Sequence, residues 1–489
     1  MKLARAAQRV ILPAVALLLG GAGWAAYQFL TPPLQAANAV FLVEPYLQLG
    51  AKGDVHQPDL QFAVLQAGQW KVEAQLQPGR WAAAAQTTDK EIALGNLMPF
   101  RLVRFTLPVL PERVPIAYRV IKDGAQVFEA TINPIKSGDD PWRVDIVGDI
   151  GEGDRAEREV AQGIYDGKPD LFVIPGDIVY AWGRTSEYLS RLFPFYNADK
   201  ANESGVPLLR STRTVACTGN HDTGFGGRGY YGGNLDVFPD GLGYFLWWDQ
   251  PLNGPQLSAA GADVVQPKGS AAHRRAFLSE AGSQYPGGTN FSFDYGNSHW
   301  TVLDANDYVD WTHGNLRQWL TNDLDQAKSA TWKFVVFHQP PFSSDSAHFL
   351  DQQMRLVADI LQDHGADVVF SGHVHGYQST YPLRFKIRPQ PGGALRNSNG
   401  AVDGDVELDK QFDGVKHTHP HGVIYVTTGG GGAELYGRQI SQHKDQWQPF
   451  TRTFFSRHSF SQCDIKGKHM KLMQIGVDGS VLDEFAIDK

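Results

Sequence analysis

The stretch Arg143 to Asp154, RVDIVGDIGEGD, decides how this chain reads. An alternating apolar run ends in a carboxylate, Asp149, set between glycines. That is the pattern of a buried strand delivering Asp149 to the open carboxyl edge of a sheet, where α/β sheets place their ligands. The pattern recurs four times down the chain. Leu171 to Ile174 leads to Gly176-Asp177, and Thr214 to Cys217 leads to Gly219-Asn220-His221-Asp222. Phe334 to Phe337 leads to His338, and Asp367 to Phe370 leads to Gly372-His373-Val374-His375. All five strand ends carry oxygen or imidazole ligands and none carries Cys.

Singly, each cluster is weak. A lone Asp at a strand end is commonly a cap or turn residue. Together, in this order and each after an apolar strand, they describe a metal centre. Mixed imidazole and carboxylate donors suit Fe, Zn and Mn, and the lack of Cys argues against a thiolate site. Cleaving a phosphate ester near neutral pH needs a strong oxygen nucleophile and neutralisation of the phosphoryl charge. Two metal ions about 3.5–4 Å apart supply both.

The series resembles the calcineurin-like metallophosphoesterase superfamily, whose blocks read D-x-H/G, G-D-x-x, G-N-H-D/E, an H after apolar residues, and G-H-x-H. The first block here is Asp149-Ile150-Gly151, without the usual His, and the second is Gly176-Asp177-Ile178-Val179-Tyr180. Loss of that His with gain of this Tyr is similar to the purple acid phosphatase pattern, as is Val335-Val336-Phe337-His338. The resemblance implies an α/β fold, a metallophosphoesterase αββα sandwich, preceded by a small all-β fibronectin-like sandwich. It implies a first metal held by Asp149, Asp177, Tyr180 and His375, with Fe(III) favoured by the hard phenolate. It implies a second metal (Fe, Zn or Mn) held by Asp177, Asn220, His338 and His373, with Asp177 bridging. His221 would bind a phosphoryl oxygen and protonate the leaving group, oriented by Asp222. A hydroxide on the first metal or bridging the pair would be the nucleophile. The chain departs from the family around the fourth block, where Phe337 and Gln339 flank His338, so its substrate contacts are its own.

Working outward, 489 residues exceed one usual core, and two domains are expected. From Val40 to about Asp140, short alternating runs such as Leu60-Phe62-Val64 and Trp70-Val72-Ala74-Leu76, broken by turns, predict an all-β sandwich over 40–140. From Pro141 strands alternate with helical stripes (Ala156, Val160, Ile164; Trp319, Leu320, Leu324, Ala327; Leu350, Met354, Val357, Leu361), predicting an α/β catalytic domain over 141–489. Two insertions interrupt it. Thr223 to about Pro286 is rich in Gly and aromatics, including Tyr230-Tyr231-Gly232-Gly233 and Phe245-Leu246-Trp247-Trp248. Leu383 to Gly422 is polar. Each follows a ligand cluster and is expected to wall the site. The glycines Gly429 to Gly432 read as a tight turn, and no internal repeat is visible.

Residues 1–39 read as a signal peptide or membrane anchor. Lys2, Arg5 and Arg9 precede an uncharged stretch, Val10 to Leu30, and Ala37-Asn38-Ala39 offers a small-x-small cleavage site. The expected location is outside the cytoplasm: periplasmic, secreted or membrane-anchored. A net charge of −8 with 20% charged residues carries no basic excess for nucleic acid. Two cysteines, Cys217 and Cys463, make no disulfide framework, although one bridge between them stays open. The expected partner is a phosphate-ester small molecule and the leading activity a phosphomonoesterase. A phosphodiesterase or nucleotidase on the same metals is the alternative enzyme. A surface-binding protein is the alternative of another class, disfavoured by the intact Asn220-His221-Asp222.

Overall fold

Eight strands open the fold in this computed structural model, which describes Asn38 and residues 40–224 and 233–489. They are β1 (Val43–Gln48), β2 (Asp59–Val64), β3 (Trp70–Gln77), β4 (Arg80–Ala83), β5 (Ala85–Ile92), β6 (Phe100–Thr106), β7 (Ile116–Lys122) and β8 (Ala125–Ile132). They pair antiparallel into two four-stranded sheets, β1-β2-β6-β5 and β4-β3-β7-β8. Period-two alternation turns Leu60, Phe62 and Val64 of one sheet toward Trp70, Val72 and Ala74 of the other. Phe62 meets Trp70 edge-on at 5.0 Å.

Beyond these strands two larger sheets stack. The first has the order β13-β10-β9-β23-β24-β25, from β9 (Trp142–Ile146), β10 (Leu171–Ile174), β13 (Arg213–Ala216), β23 (Ser459–Lys466), β24 (His469–Gly476) and β25 (Val481–Asp488). Its strands β9, β10 and β13 run parallel. Between β10 and β13 lies a small hairpin, β11 (Asn197–Asn202) and β12 (Gly205–Pro207). The second sheet has the order β14-β15-β16-β17-β21-β18-β22. Its strands are β14 (Phe291–Tyr295), β15 (Ser298–Val302), β16 (Trp332–Val336), β17 (Val368–Ser371), β18 (Tyr377–Thr380), β21 (Ile424–Thr428) and β22 (Thr451–Phe455), with β15, β16, β17 and β21 parallel. A separate hairpin, β19 (Leu383–Ile387) with β20 (Gly404–Leu408), gives the polar insertion regular structure.

The unbroken apolar runs of the sequence are strands buried on both faces. On β16, Trp332, Phe334 and Val336 enter the core between the sheets, where Trp300 and Phe370 also lie. Val335 and the following Phe337 enter a second core, under helix α2 (Gly314–Gln326), which contributes Leu316, Leu320 and Leu324. Across the first sheet runs helix α1 (Arg155–Gly167). Asp154 caps it by accepting from Glu157 N, and it buries Val160, Ala161 and Ile164. The resulting order is helix, sheet, sheet, helix.

Two expectations change. The stripe from Leu350 to Leu361 is not one helix: Gln353–Val357 is a 3₁₀ turn, Ala358–Asp363 a short α-helix, and Leu350 is half exposed. The chain before Gln353 instead loops so that His348 Nδ1 meets Asp351 Oδ2 at 2.9 Å. The aromatic run Phe245 to Trp248 does not wall the site. Trp247 stacks on Phe100 of β6 at 5.5 Å and its carbonyl accepts from Tyr46 of β1 (2.8 Å), cementing the amino-terminal sheets to the rest. Cys217 and Cys463 are both buried free thiols. The described residues form one compact unit. The expected leader, except Asn38, and Tyr230, Tyr231 and Gly232 lie outside the described residues. No described helix is long and apolar enough to cross a membrane.

Candidate metal centre

All five ligand clusters sit past the carboxyl ends of parallel strands, β9, β10 and β13 from one sheet and β16 and β17 from the other. Backbone hydrogen bonds lace the loops together. Asp149 N donates to Gly176 O (3.1 Å), Gly372 N to His338 O (3.0 Å), and Gly148 N crosses to Thr428 O (2.9 Å) of the facing sheet. Asp149, Asp177 and His373 all adopt left-handed backbone, with φ of 60°, 48° and 68°. That conformation is costly for residues with a Cβ and concentrates at functional sites. Close approach explains two of the neighbouring glycines. A Cβ on Gly219 would lie 2.1 Å from Asp177 Oδ1, and one on Gly429 would lie 2.6 Å from Asp149 Oδ2. Gly429, Gly431 and Gly432 thus pack against the Asp149 loop.

The convergence is tight. Asp177 Oδ2 lies 3.2 Å from His338 Nε2, and Asn220 Oδ1 lies 3.1 Å from the same nitrogen. On the other side, His375 Nε2 lies 3.1 Å from the Tyr180 phenol oxygen and 3.4 Å from Asp149 Oδ1, while the phenol donates to Asp149 Oδ1 (3.0 Å). Ligand atoms of Asp177, His338 and His373 fall within 4.8 Å of one another. Every one of these side chains is buried except Asn220, which is partly exposed.

The imidazoles are oriented from behind. His338 Nδ1 lies 2.8 Å from Pro175 O, and His375 Nδ1 lies 2.6 Å from Glu434 O. A carbonyl only accepts, so each Nδ1 carries the proton and each Nε2 presents its lone pair to oxygens that are themselves acceptors. A second ring proton or a metal ion between them satisfies such a contact. This donor set fits metal ions: at one position Asp149, Asp177, Tyr180 and His375, at the other Asp177, Asn220, His338 and His373.

Without metal the charges compensate locally. Burial opposes ionisation of Asp177, yet His338 and His221 hold its carboxyl below the usual carboxylate range. Burial likewise disfavours charge on His338, but Asp177 carries it up to about 9. Burial pushes His373 down to about 4. Burial, reinforced by Asp149, holds the Tyr180 phenol well above its ordinary value.

His221 stands apart from both donor sets. Its Nε2 is 3.9 Å from Asp177 Oδ2, and the side chain stays partly open to solvent. Asp222 does not orient it. The Asp222 carboxylate accepts from Gly219 N (2.8 Å), Ile178 N (3.1 Å) and the Tyr188 hydroxyl (3.3 Å), tying the second and third loops together. Ala181 O, 2.7 Å from His221 Nδ1, orients the ring instead. Two groups went unread in the sequence. His348 and Asp351 lie against His373, the rings of His348 and His373 being 4.0 Å apart, and Tyr436 stacks on His375 at 4.0 Å. The only sequence signal was the histidine ten positions after His338.

The geometry agrees with what the chain is similar to. Residues 143–377 match the calcineurin-like phosphoesterase family model. Purple acid phosphatase 23 of Arabidopsis thaliana is 26% identical over 252 residues, 49% of this chain and 47% of the relative. Purple acid phosphatase 22 of the same plant is 31% identical over 205 residues, 40% of each chain. The chain spans about half or less of the length of these curated relatives. A purple acid phosphatase from yellow lupin seeds superposes with a TM-score of 0.63 at 16% identity, covering 92% of this chain and 75% of that one. PhoD superposes with 0.55 at 13% identity, covering 94% and 92%. Residues 143–377 are thus similar to the calcineurin-like phosphoesterase family. The α/β architecture around them is shared with the lupin purple acid phosphatase.

Proposed function

We propose that this chain is an exported dinuclear-metal hydrolase of phosphate esters, a phosphomonoesterase of purple-acid-phosphatase type. The observation that supports it most is the pair of histidines, His338 and His375. Each has its Nδ1 proton fixed by a carbonyl and its Nε2 turned toward oxygens of the two donor sets, where a metal ion can replace a proton. Asp149, Tyr180 and His375 hold one ion and Asn220, His338 and His373 the other, with Asp177 shared. The phenolate of Tyr180 favours Fe(III) at its position, and Fe, Zn or Mn suits the second. When bound, the pair lowers the pKa of water and neutralises the phosphoryl charge.

The protein does the rest. His221, held at Nδ1 by Ala181 O, turns Nε2 toward the substrate side of Asp177. As an imidazolium it donates to a phosphoryl oxygen and then protonates the departing alkoxide. Residues 40–140 serve as a structural sandwich domain, residues 141–489 as the catalytic domain, and residues 1–39 as the export segment.

The test is hydrolysis of matched aryl phosphate mono- and diesters by the metal-loaded chain, with Asp177→Asn as control. Monoester turnover that the control lacks upholds the reading. Turnover of the diester alone makes the enzyme a phosphodiesterase. No turnover of either by protein carrying two metals refutes it.

A further inference from the structure

The Nε2 of His373 lies 2.9 Å from Asp351 Oδ2, and that same oxygen lies 2.9 Å from His348 Nδ1. One carboxylate oxygen thus takes two imidazoles. A carboxylate accepts and does not donate, so each facing nitrogen carries its proton. For His373 the consequence is specific: with the proton fixed on Nε2, the only lone pair left for the Asp177–His338 cluster is on Nδ1. His338 and His375 are set the opposite way, with Nδ1 tied down and Nε2 free. His373 also sits in left-handed backbone, at a φ of 68°, with its amide donating to Asp149 Oδ2 at 2.8 Å. Its main chain is thereby committed to the first donor set while its ring serves the second.

We infer that Asp351 is the positioning residue of the second metal position, selecting the His373 tautomer that presents Nδ1. This rests on the metal-centre reading above. Asp351 touches neither donor set except through His373. Its carboxylate is over a third exposed, so its removal leaves no cavity in the core. Partners of this kind, set behind a metal-binding imidazole, change metal affinity about 10- to 100-fold.

The His348–Asp351–His373 group has a competing role, because its ligand atoms also lie within 4.8 Å of one another. The group could itself hold an ion. A carboxylate already accepting two N–H groups at 2.9 Å needs none, which favours positioning.

The test is Zn(II) binding by the full chain, read as stoichiometry and as affinity against a competing chelator. Wild type, Asp351→Ala, Asp351→Asn and His348→Ala are compared, with the thermal midpoint of the metal-free proteins as the check on folding. The inference expects Asp351→Ala to keep its midpoint and its first Zn(II) but to bind the second about 10- to 100-fold more weakly. Asp351→Asn, which retains an acceptor oxygen, recovers part of that loss, and His348→Ala stays within about twofold of wild type. Unchanged affinity for the second Zn(II) in Asp351→Ala overturns the inference and leaves the two-metal reading standing. So does an equal loss in His348→Ala, which would make the group an ion-binding site. Wild type that binds no second Zn(II) overturns both.

Discussion

The phenol oxygen of Tyr180 lies 3.1 Å from Nε2 of His375 although 195 residues separate them, and Asp149 Oδ1 lies within 3.4 Å of both. The burial that keeps Tyr180 protonated in the free chain is overcome only by a strongly acidic ion at that point. Tyr180→Phe removes the oxygen and keeps the ring. The expected outcome is an intact fold and loss of the visible phenolate-to-iron absorption of Fe(III)-loaded protein. Absorption spectra of wild type and variant, loaded alike, check it.

His221→Ala should leave both metals bound, since the ring belongs to neither donor set. A positioned proton donor contributes about 10²- to 10⁴-fold, so kcat for an alkyl phosphate should fall by that order. The fall should shrink for a leaving group such as nitrophenolate that needs no proton. Comparison of the two substrates is the measurement.

Asp222 acts on stability. Burial, with Asp177 close by, brings its carboxyl up to about 7, and its oxygens take two backbone amides and the Tyr188 hydroxyl. Asp222→Asn leaves a buried donor unmatched, at a cost of about 1–3 kcal/mol. Urea denaturation of the metal-free protein should show a loss of that size.

Away from the metals, His299 bonds Asp294 through Nδ1 (2.8 Å) and Asp323 through Nε2 (3.1 Å). Burial opposes its charge, but the two carboxylates carry it from 6.5 up to about 9. A folded value above the unfolded one stabilises fully below the unfolded pKa, near pH 6.5, and that stability is lost as pH rises through about 9. The ceiling is about 3 kcal/mol. Wild type should therefore lose stability between pH 6.5 and 9 relative to His299→Gln, read from paired denaturation curves.

The amino-terminal sheets share their core with the two larger sheets, and Phe100 lies flat on Trp247 with 3° between the ring planes. Phe100→Ala should cost about 3–5 kcal/mol. Calorimetry should show a single transition moving to lower temperature, because the amino-terminal sheets are packed into one core with the larger sheets.

The gathering of Asp149, Asp177, Asn220, His338, His373 and His375 at one sheet edge was legible in the sequence because each follows a run that can only be a doubly buried strand. Chain direction then fixes the sheet edge at which the run must end. The β-sandwich was legible for the same reason, from alternation along Leu60-Phe62-Val64. What sequence could not carry was orientation. Asp222 adjoins His221 in the chain, but a turn faces its carboxylate toward backbone amides, and a carbonyl from 40 residues away takes the ring. The Leu350 to Leu361 stripe has helical spacing, yet the His348–Asp351 contact turns its first residues out of the helix. Local pattern fixes which residues reach the site, because strand periodicity is a property of consecutive residues. Which nitrogen of each histidine faces inward depends on acceptors behind it, Pro175, Glu434 and Asp351, that only the packed loops bring there.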